Sequence, residues 1–196
     1  MTVWFSADWH LGHAGIFTHQ AERAAAFECL DDMDAQILDR VNSVLRPGDE
    51  LFFLGDFAWQ ASRYGHYRQR VRVRKFNVVR GNHDSSSLAR HCSLFKDMLL
   101  RKFQTSRGRV KIHMLHCPML SWYGLHHGSV HLYGHSHGRY EAQLDEIFPG
   151  RRAMDVGIDN VFRLTGMWRP ISLEEVVYRL NAGEETEERV PGPFED

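Results

Sequence analysis

The chain has 196 residues, the usual size of one domain, and with 43% apolar and 25% charged residues it is not a disordered or collagen-like protein. The formal net charge of −1 argues against a uniformly basic protein that binds nucleic acid or anionic membranes over its whole surface. Histidine is unusually frequent, with 13 residues, and it is the commonest metal ligand in proteins. The composition therefore raises the expectation of a metal site without locating it.

The cysteines and the N-terminal segment indicate a cytoplasmic protein. Cys29, Cys92 and Cys117 are odd in number, far apart and form no CxxC pair, so neither a disulfide framework nor a thiolate zinc site is predicted. The opening MTVWFSADWH has neither the basic nor the apolar stretch of a signal peptide. No run approaches the ~18 apolar residues of a membrane span. We expect no membrane partner, and the oligomeric state stays open.

Strands and helices alternate in the first half of the chain. Residues 2–6 form a short apolar strand. Residues 30–45 carry apolar side chains every three or four positions and predict an amphipathic helix. Residues 51–54 and 76–79 are apolar runs of buried-strand length. The basic stretch 64–74 between them predicts a helix, although its last five residues also alternate like a strand.

The second half adds a hairpin, a strand and a helix. Residues 99–104 and 110–115 flank a Ser-Arg-Gly turn and predict the hairpin. Residues 130–133 predict a strand. Ser172 and Glu175 form the pattern of a capping box and predict a helix that ends near residue 180.

Five of the predicted strands run directly into side chains that bind metals. Ligand sites of α/β domains form beyond the carboxyl ends of the strands, so these side chains can meet at one place. The set comprises two carboxylates, one amide and four imidazoles, from Asp8, His10, Asp56, Asn82, His116, His135 and His137. Seven ligands suffice for two metal ions when one carboxylate bridges them, and such a pair suits in-line displacement at phosphorus.

The motifs around these residues resemble those of the calcineurin-like metallophosphoesterase superfamily, especially its compact prokaryotic and phage members. The matching motifs occur in order between residue 1 and about residue 160, and they are Asp8-x-His10, Gly55-Asp56, Gly81-Asn82-His83-Asp84, His116 and Gly134-His135-x-His137. The resemblance implies an α/β fold: an αββα sandwich of two mostly mixed β-sheets flanked by helices, with a dimetal site at the strand-end rim. It also implies hydrolysis of phosphodiester bonds, and of phosphomonoesters as a further activity, by a metal-bridging water or hydroxide.

The resemblance also implies a metal ligand set. One metal would be held by Asp8, His10 and His137, and the other by Asn82, His116 and His135, with Asp56 as the bridge. Mixed oxygen and nitrogen ligands without thiolate suit divalent transition metals. We expect two such ions, manganese first, with iron, zinc, nickel or cobalt as alternatives.

Four residues are candidates for a part in catalysis or for contact with the substrate. His83 matches the family position whose imidazole contacts substrate and protonates the leaving oxygen, a natural task for histidine near neutral pH. Asp84 either orients His83 or caps a helix that starts near Ser85. Asn82 and His13 are candidate phosphate contacts. For His13, an ordinary loop residue is an equally good interpretation.

Three functions stay open at this point. Only 34 positions separate Asn82 from His116 and 19 separate His116 from His135, so no cap domain fits and an open site is expected. A phosphodiesterase is favoured. The alternatives are a nuclease or nucleic-acid end-processing enzyme that uses the same site, and a non-catalytic scaffold, which the complete ligand set disfavours.

The charged residues are unevenly distributed along the chain. Residues 60–111 hold 14 Lys and Arg against 2 Asp and Glu, a local charge of +12, so nucleic acid remains a possible partner beside a phosphate-ester substrate. The final stretch is acidic and contains two prolines. We expect one metallophosphoesterase domain over residues 1–182 and an acidic tail over 183–196.

Overall fold

The computed structural model describes residues 1–182, and the predicted acidic tail, 183–196, lies outside the described residues. The described strands are β1 (Val3–Ser6), β2 (Glu50–Phe53), β3 (Lys75–Val79), β4 (Leu94–Lys96), β5 (Met98–Thr105), β6 (Gly108–Leu115), β7 (Val130–Tyr133), β8 (Ala153–Asp155) and β9 (Ile171–Ser172). The described helices are α1 (Ile16–His19), α2 (Ala21–Ala26), α3 (Leu30–Val44), α4 (Tyr64–Arg70), α5 (Glu141–Ile147), α6 (Ile158–Thr165) and α7 (Leu173–Arg179).

The strands form two mixed sheets. The first has the order β4-β3-β2-β1-β9, in which neighbours are parallel except that β9 runs antiparallel to β1. The second has the order β5-β6-β7-β8, in which only the hairpin of β5 and β6 is antiparallel. Helices flank the two sheets, so the fold class expected from the motifs is confirmed.

Alternating side chains give each sheet two buried faces. Phe5 and Phe52 of the first sheet share one buried apolar cluster with Ile112 and Leu132 of the second. This cluster is the layer between the sheets, where every second residue of a strand points inward. Val176 of α7 belongs to the same cluster, so the last described helix closes the sandwich.

Helices cover the outer faces of the sheets. Met33 of α3 and Tyr67 of α4 are buried in one cluster with Phe53 on the outer face of the first sheet. On the outer face of the second sheet, Tyr133 of β7 clusters with Leu144 of α5. Among the described residues, none of the helices has the length and apolar character needed to cross a bilayer.

The structure settles one ambiguity in the predicted elements and confirms a predicted helix cap. The helix predicted over 64–74 ends at Arg70, because Val71 and Val73 turn into the core instead of continuing the helix. The capping box is present, since the Ser172 side chain accepts from the Glu175 amide and the Glu175 carboxylate accepts from the Ser172 amide. The short elements β4, β8, β9, α1, α2, α5 and α6 were not predicted.

The carboxyl ends of the central strands lie at one edge of the sandwich. β1, β2 and β3 are mutually parallel, and so are β6 and β7. At this edge Ala7 forms an isolated parallel bridge with Gly157, and the Ile158 amide donates to the Ala7 carbonyl at 3.0 Å. The residues that follow the strands of both sheets are thereby brought together.

Candidate metal centre

Asp56 stands in the middle of the converging side chains. Its Oδ2 lies 3.6 Å from Nε2 of His10 and 3.3 Å from Nε2 of His116. The Asn82 Oδ1 atom lies 2.9 Å from Nε2 of His116 and 2.9 Å from Nδ1 of His135. All five predicted strand ends therefore contribute to one contiguous cluster of ligand atoms.

Asp8 connects this cluster to the remaining residues. Ligand atoms of Asp8, His10 and His137 all lie within 4.8 Å of one another, and so do those of Asp8, Asp56 and His116. The first of these groups is the same trio that the motifs implied for one metal. The second contains the implied bridging residue together with one implied ligand of the other metal. All seven sequence-predicted ligands are thus brought to one place.

Backbone conformation sets this cluster apart from the rest of the chain. Six non-glycine residues in residues 1–182 have a positive φ, and five of them carry candidate ligands: Asp8 (59°), His10 (51°), Asp56 (61°), His135 (67°) and His137 (51°). Each left-handed residue with a Cβ costs about 1–2 kcal/mol. Strain of this kind concentrates at functional sites, where the surrounding structure enforces it.

Glycine allows the loops at the strand ends to approach each other. A Cβ atom on Gly81 would lie 2.2 Å from Oδ1 of Asp56, and one on Gly134 would lie 2.7 Å from Oδ2 of Asp8. Either atom would collide with a carboxylate. The glycines of these two motifs are therefore required for the close packing that lets their neighbours reach the centre.

The buried groups at the centre fit a bound cation. Nε2 of His10 is buried without a hydrogen-bond partner among the described residues. Burial lowers the pKa of His10, which favours the neutral imidazole that binds metals, and burial raises the pKa of Asp8 to about 7. A buried lone pair and a poorly solvated carboxylate are both satisfied by a metal ion. Carboxylate, imidazole and amide donors together suit divalent transition metals.

The Asp56 and His116 side chains stabilise each other as an ion pair. Burial opposes charge on both groups, but their hydrogen bond and mutual attraction prevail. The pKa of Asp56 is held well below its usual range, and that of His116 is raised to about 9. The central carboxylate is therefore ionised, which is the state needed for a shared metal ligand.

Two residues behind the cluster were missed by the sequence analysis. Nδ1 of His137 lies 2.6 Å from Oδ2 of Asp159. Arg23 is 0% exposed and donates to both Asp159 oxygens at 2.8 Å, as well as to the backbone carbonyls of Asp8 and Trp9. Arg23 lies in an alanine-rich helix and Asp159 is 136 positions away, so no local pattern marks them.

The carboxylate of Asp84 binds backbone, not a side chain. It accepts hydrogen bonds from the amides of Asp56 at 2.9 Å, Phe57 at 3.0 Å and Gly81 at 2.9 Å. It thereby ties together the loops after β2 and β3. The helical turn that follows spans Ser86–His91 and is capped by Ser85, so the expectation that Asp84 caps it is wrong.

His83 lies at the exposed side of the centre, among aromatic rings. Its ring centroid is 5.6 Å from that of His10 and 5.2 Å from that of Trp59. His13 stacks on Trp59 with centroids 3.9 Å apart and planes inclined by 2°. Trp59 was not singled out in the sequence, because a lone tryptophan after a strand has no distinguishing pattern. These rings form one wall of the entrance to the candidate metal centre.

The two-sheet sandwich and the ligand cluster together place this protein in the class of metal-dependent phosphoesterases. The model of the calcineurin-like phosphoesterase family matches residues 1–170, and the chain belongs to this family. An uncharacterized protein of Methanocaldococcus jannaschii is 23% identical over 184 residues, which are 92% of each chain.

One solved structure shows the same fold at low sequence identity. A protein of unknown function from Aquifex aeolicus superposes with a TM-score of 0.65 at 20% identity, over 87% of this chain and 95% of that one. The phosphoesterase YfcE from E. coli is matched at a TM-score of 0.37 and 16% identity over 70% of each chain, which is too distant to support an argument.

Proposed function

We propose that this chain is a phosphodiesterase with a dinuclear metal centre. In this proposal one ion is held by Asp8, His10 and His137, the other by Asn82, His116 and His135, and Asp56 is shared. The convergence of these seven side chains, five of them on strained backbone, is the observation that supports it. When bound, two divalent ions, manganese first among them, would activate water and neutralise charge on the phosphoryl oxygens.

His83 is proposed to donate the proton that the leaving oxygen needs. The imidazole is exposed at the entrance, and the His83 amide donates to Oδ1 of Asp56 at 2.9 Å, which fixes the backbone beside the centre. A histidine in this position acts as a general acid without holding a metal. Asp84 serves as a positioning residue, because its three backbone contacts hold the loop that carries His83.

An open entrance favours diesters, whose phosphorus carries two organic groups. Asn82, His83 and His135 are all exposed, and the loops that carry them are short. A bound phosphate can therefore extend an organic group in two directions. His13 and Trp59 offer an aromatic surface for one of these groups, and Asn82 offers an amide to the phosphate.

Hydrolysis of a paired diester and monoester tests the proposal. The protein is stripped with EDTA, desalted, loaded with Mn²⁺ or, in parallel, with each of the other four expected metals, and assayed on bis(p-nitrophenyl) phosphate and p-nitrophenyl phosphate. We expect a higher kcat/KM for the diester, and its loss in His135→Ala but not in the exposed His66→Ala. A preference for the monoester would contradict diesterase specificity, and no hydrolysis of either compound with any of the five expected metals would contradict the function.

A further inference from the structure

A polar cavity separate from the candidate metal centre lies on the outer face of the second sheet. Its volume is about 510 Å³, and it is bounded by β5, β6 and the loop 122–129. Lys102, Arg109 and Lys111 contribute its charged lining, and no Asp or Glu is among its lining residues in the described part of the chain. The proposed reaction uses none of these side chains. This basic cavity therefore needs an explanation of its own.

The arrangement of its cations carries a folding cost. Lys102 and Lys111 are directly opposite each other in the antiparallel register of β5 and β6, so their side chains project from the same face. Arg109 precedes Lys111 by two positions and shares that face. Like charges placed opposite each other destabilise a sheet. A bound anion would offset this repulsion, which points to a ligand rather than to a structural role.

An exposed aromatic ring is held beside the cations. Tyr123 is 77% exposed, and Nζ of Lys111 lies 5.0 Å from the centre of its ring. The Ser129 hydroxyl donates to the Tyr123 carbonyl at 3.0 Å, and Nε1 of Trp122 donates to the Ser129 carbonyl at 3.1 Å. Gly124 adopts φ 80°, which turns the chain directly after the tyrosine. The ring is therefore offered to solvent by an ordered loop.

We propose that this basic cavity binds single-stranded nucleic acid, with phosphates on Lys102, Arg109 and Lys111 and a base stacked on Tyr123. Proteins bind single strands through cations that follow the backbone and aromatic rings that accept bases. An acidic peptide would use the charges but not the ring. Lys111 lies in β6, and His116 follows the end of that strand five residues later, about 17 Å away along the chain. Nucleic acid held in the basic cavity would therefore lie close to the candidate metal centre.

This inference rests on the proposed function and makes it more specific. If the enzyme cleaves phosphodiesters, a single strand seated on the basic cavity supplies such bonds near the candidate centre. The nuclease alternative is thereby favoured over hydrolysis of small diesters alone. Binding and hydrolysis can be measured separately, so the two proposals can fail separately.

Binding is measured in EDTA by fluorescence anisotropy of a labelled oligothymidylate, so that no hydrolysis occurs and no metal is required. The double variant Lys102→Ala/Lys111→Ala is expected to weaken binding at least tenfold. It should also reduce the slope of log Kd against log salt concentration by about 1.4, because each phosphate contact to a single strand contributes about 0.7 to that slope. Tyr123→Ala is expected to weaken binding roughly 5- to 100-fold, and Tyr123→Phe to retain it. Arg72→Ala/Lys75→Ala removes two exposed cations elsewhere and serves as the matched control.

Several results would overturn the inference. An equal loss of affinity in the control pair would show that charge anywhere on the surface suffices. Full affinity in Tyr123→Ala, or displacement of the oligonucleotide by poly-glutamate of matched charge, would indicate an acidic polypeptide as the ligand. Hydrolysis of bis(p-nitrophenyl) phosphate should be unchanged in Lys102→Ala/Lys111→Ala. Binding without any such hydrolysis in the wild-type protein would refute the phosphodiesterase proposal and leave the binding site standing.

Discussion

Nδ1 of His137 faces Oδ2 of Asp159 at 2.6 Å, and this buried contact leaves Nε2 of the imidazole as the nitrogen available to a metal. Arg23 binds both Asp159 oxygens and thereby fixes the carboxylate. The same contacts raise the pKa of His137 against the effect of burial and keep that of Asp159 well below its usual range. A carboxylate that orients a ligating histidine in this way also increases its basicity.

Asp159→Asn should therefore weaken metal binding without removing a ligand. We expect a 10- to 100-fold loss of affinity for one of two Mn²⁺ ions, the usual effect of removing an outer-shell partner. Isothermal titration of the EDTA-stripped protein measures it, and circular dichroism verifies the fold. Asp145→Asn, which alters an exposed ion pair with Arg151, is the control. Equal affinities in the two variants would remove Asp159 from the metal site.

Sequence patterns predicted that the candidate ligands would converge, and the reason is physical. Parallel strands place their carboxyl ends at one edge, so polar residues directly after strands, such as Asp56 and Asn82, are brought together by topology alone. The contact between Arg23 and Asp159 depends on packing between segments 136 positions apart, and no local periodicity encodes it. The left-handed φ of His10 is likewise set by its surroundings, because this conformation is uncommon for any residue other than glycine and no local pattern marks it.

Short elements were missed for a different reason. β8 has three residues and β9 has two, too few to display an alternating pattern. Helix α6 spans only eight residues, Ile158–Thr165, which is too short to repeat an apolar spacing of three or four positions. The basic cavity also could not be predicted, because it joins one hairpin to a loop that begins eleven residues after Lys111.

Metal content provides the most direct test of the shared carboxylate. Elemental analysis after Mn²⁺ loading and desalting should find two ions per chain. Asp56→Ala should lower the content below one, because its Oδ2 lies near ligand atoms of both groups. His13→Ala should retain two ions, since His13 is no candidate ligand. One ion or none in the wild type would contradict a dinuclear centre, and two ions in Asp56→Ala would contradict the shared role.

Leaving-group dependence distinguishes a proton donor from a structural histidine. His83→Ala should lower kcat about 10²- to 10⁴-fold on an alkyl phosphodiester, whose leaving oxygen needs a proton. The loss should be much smaller on bis(p-nitrophenyl) phosphate, because nitrophenolate leaves without protonation. Metal content should remain that of the wild type, and His66→Ala should behave as wild type on both substrates. Equal losses on the two substrates would exclude general acid catalysis by His83.

Acid sensitivity of the fold should depend on His131, a buried histidine outside the metal centre. Its Nε2 accepts a hydrogen bond from the Met119 amide at 3.1 Å, so the ring must stay neutral there. Burial, the largest influence, lowers its pKa from 6.5 to about 4. Between these two values the unfolded chain takes up a proton that the folded chain refuses, so stability falls as the pH drops through that window. Above pH 6.5 this group adds no pH dependence.

His131→Gln should remove this contribution. The wild type is expected to lose on the order of 3 kcal/mol more than the variant when urea unfolding at pH 7.5 is compared with unfolding at pH 4, since one pKa unit corresponds to about 1.4 kcal/mol. Both proteins are measured in EDTA, so that the titration of the candidate ligands is common to both and cancels in the difference. His91→Gln, at a partly exposed position, should follow the wild type. If His131→Gln instead loses as much stability as the wild type over this range, the acid sensitivity arises elsewhere in the fold.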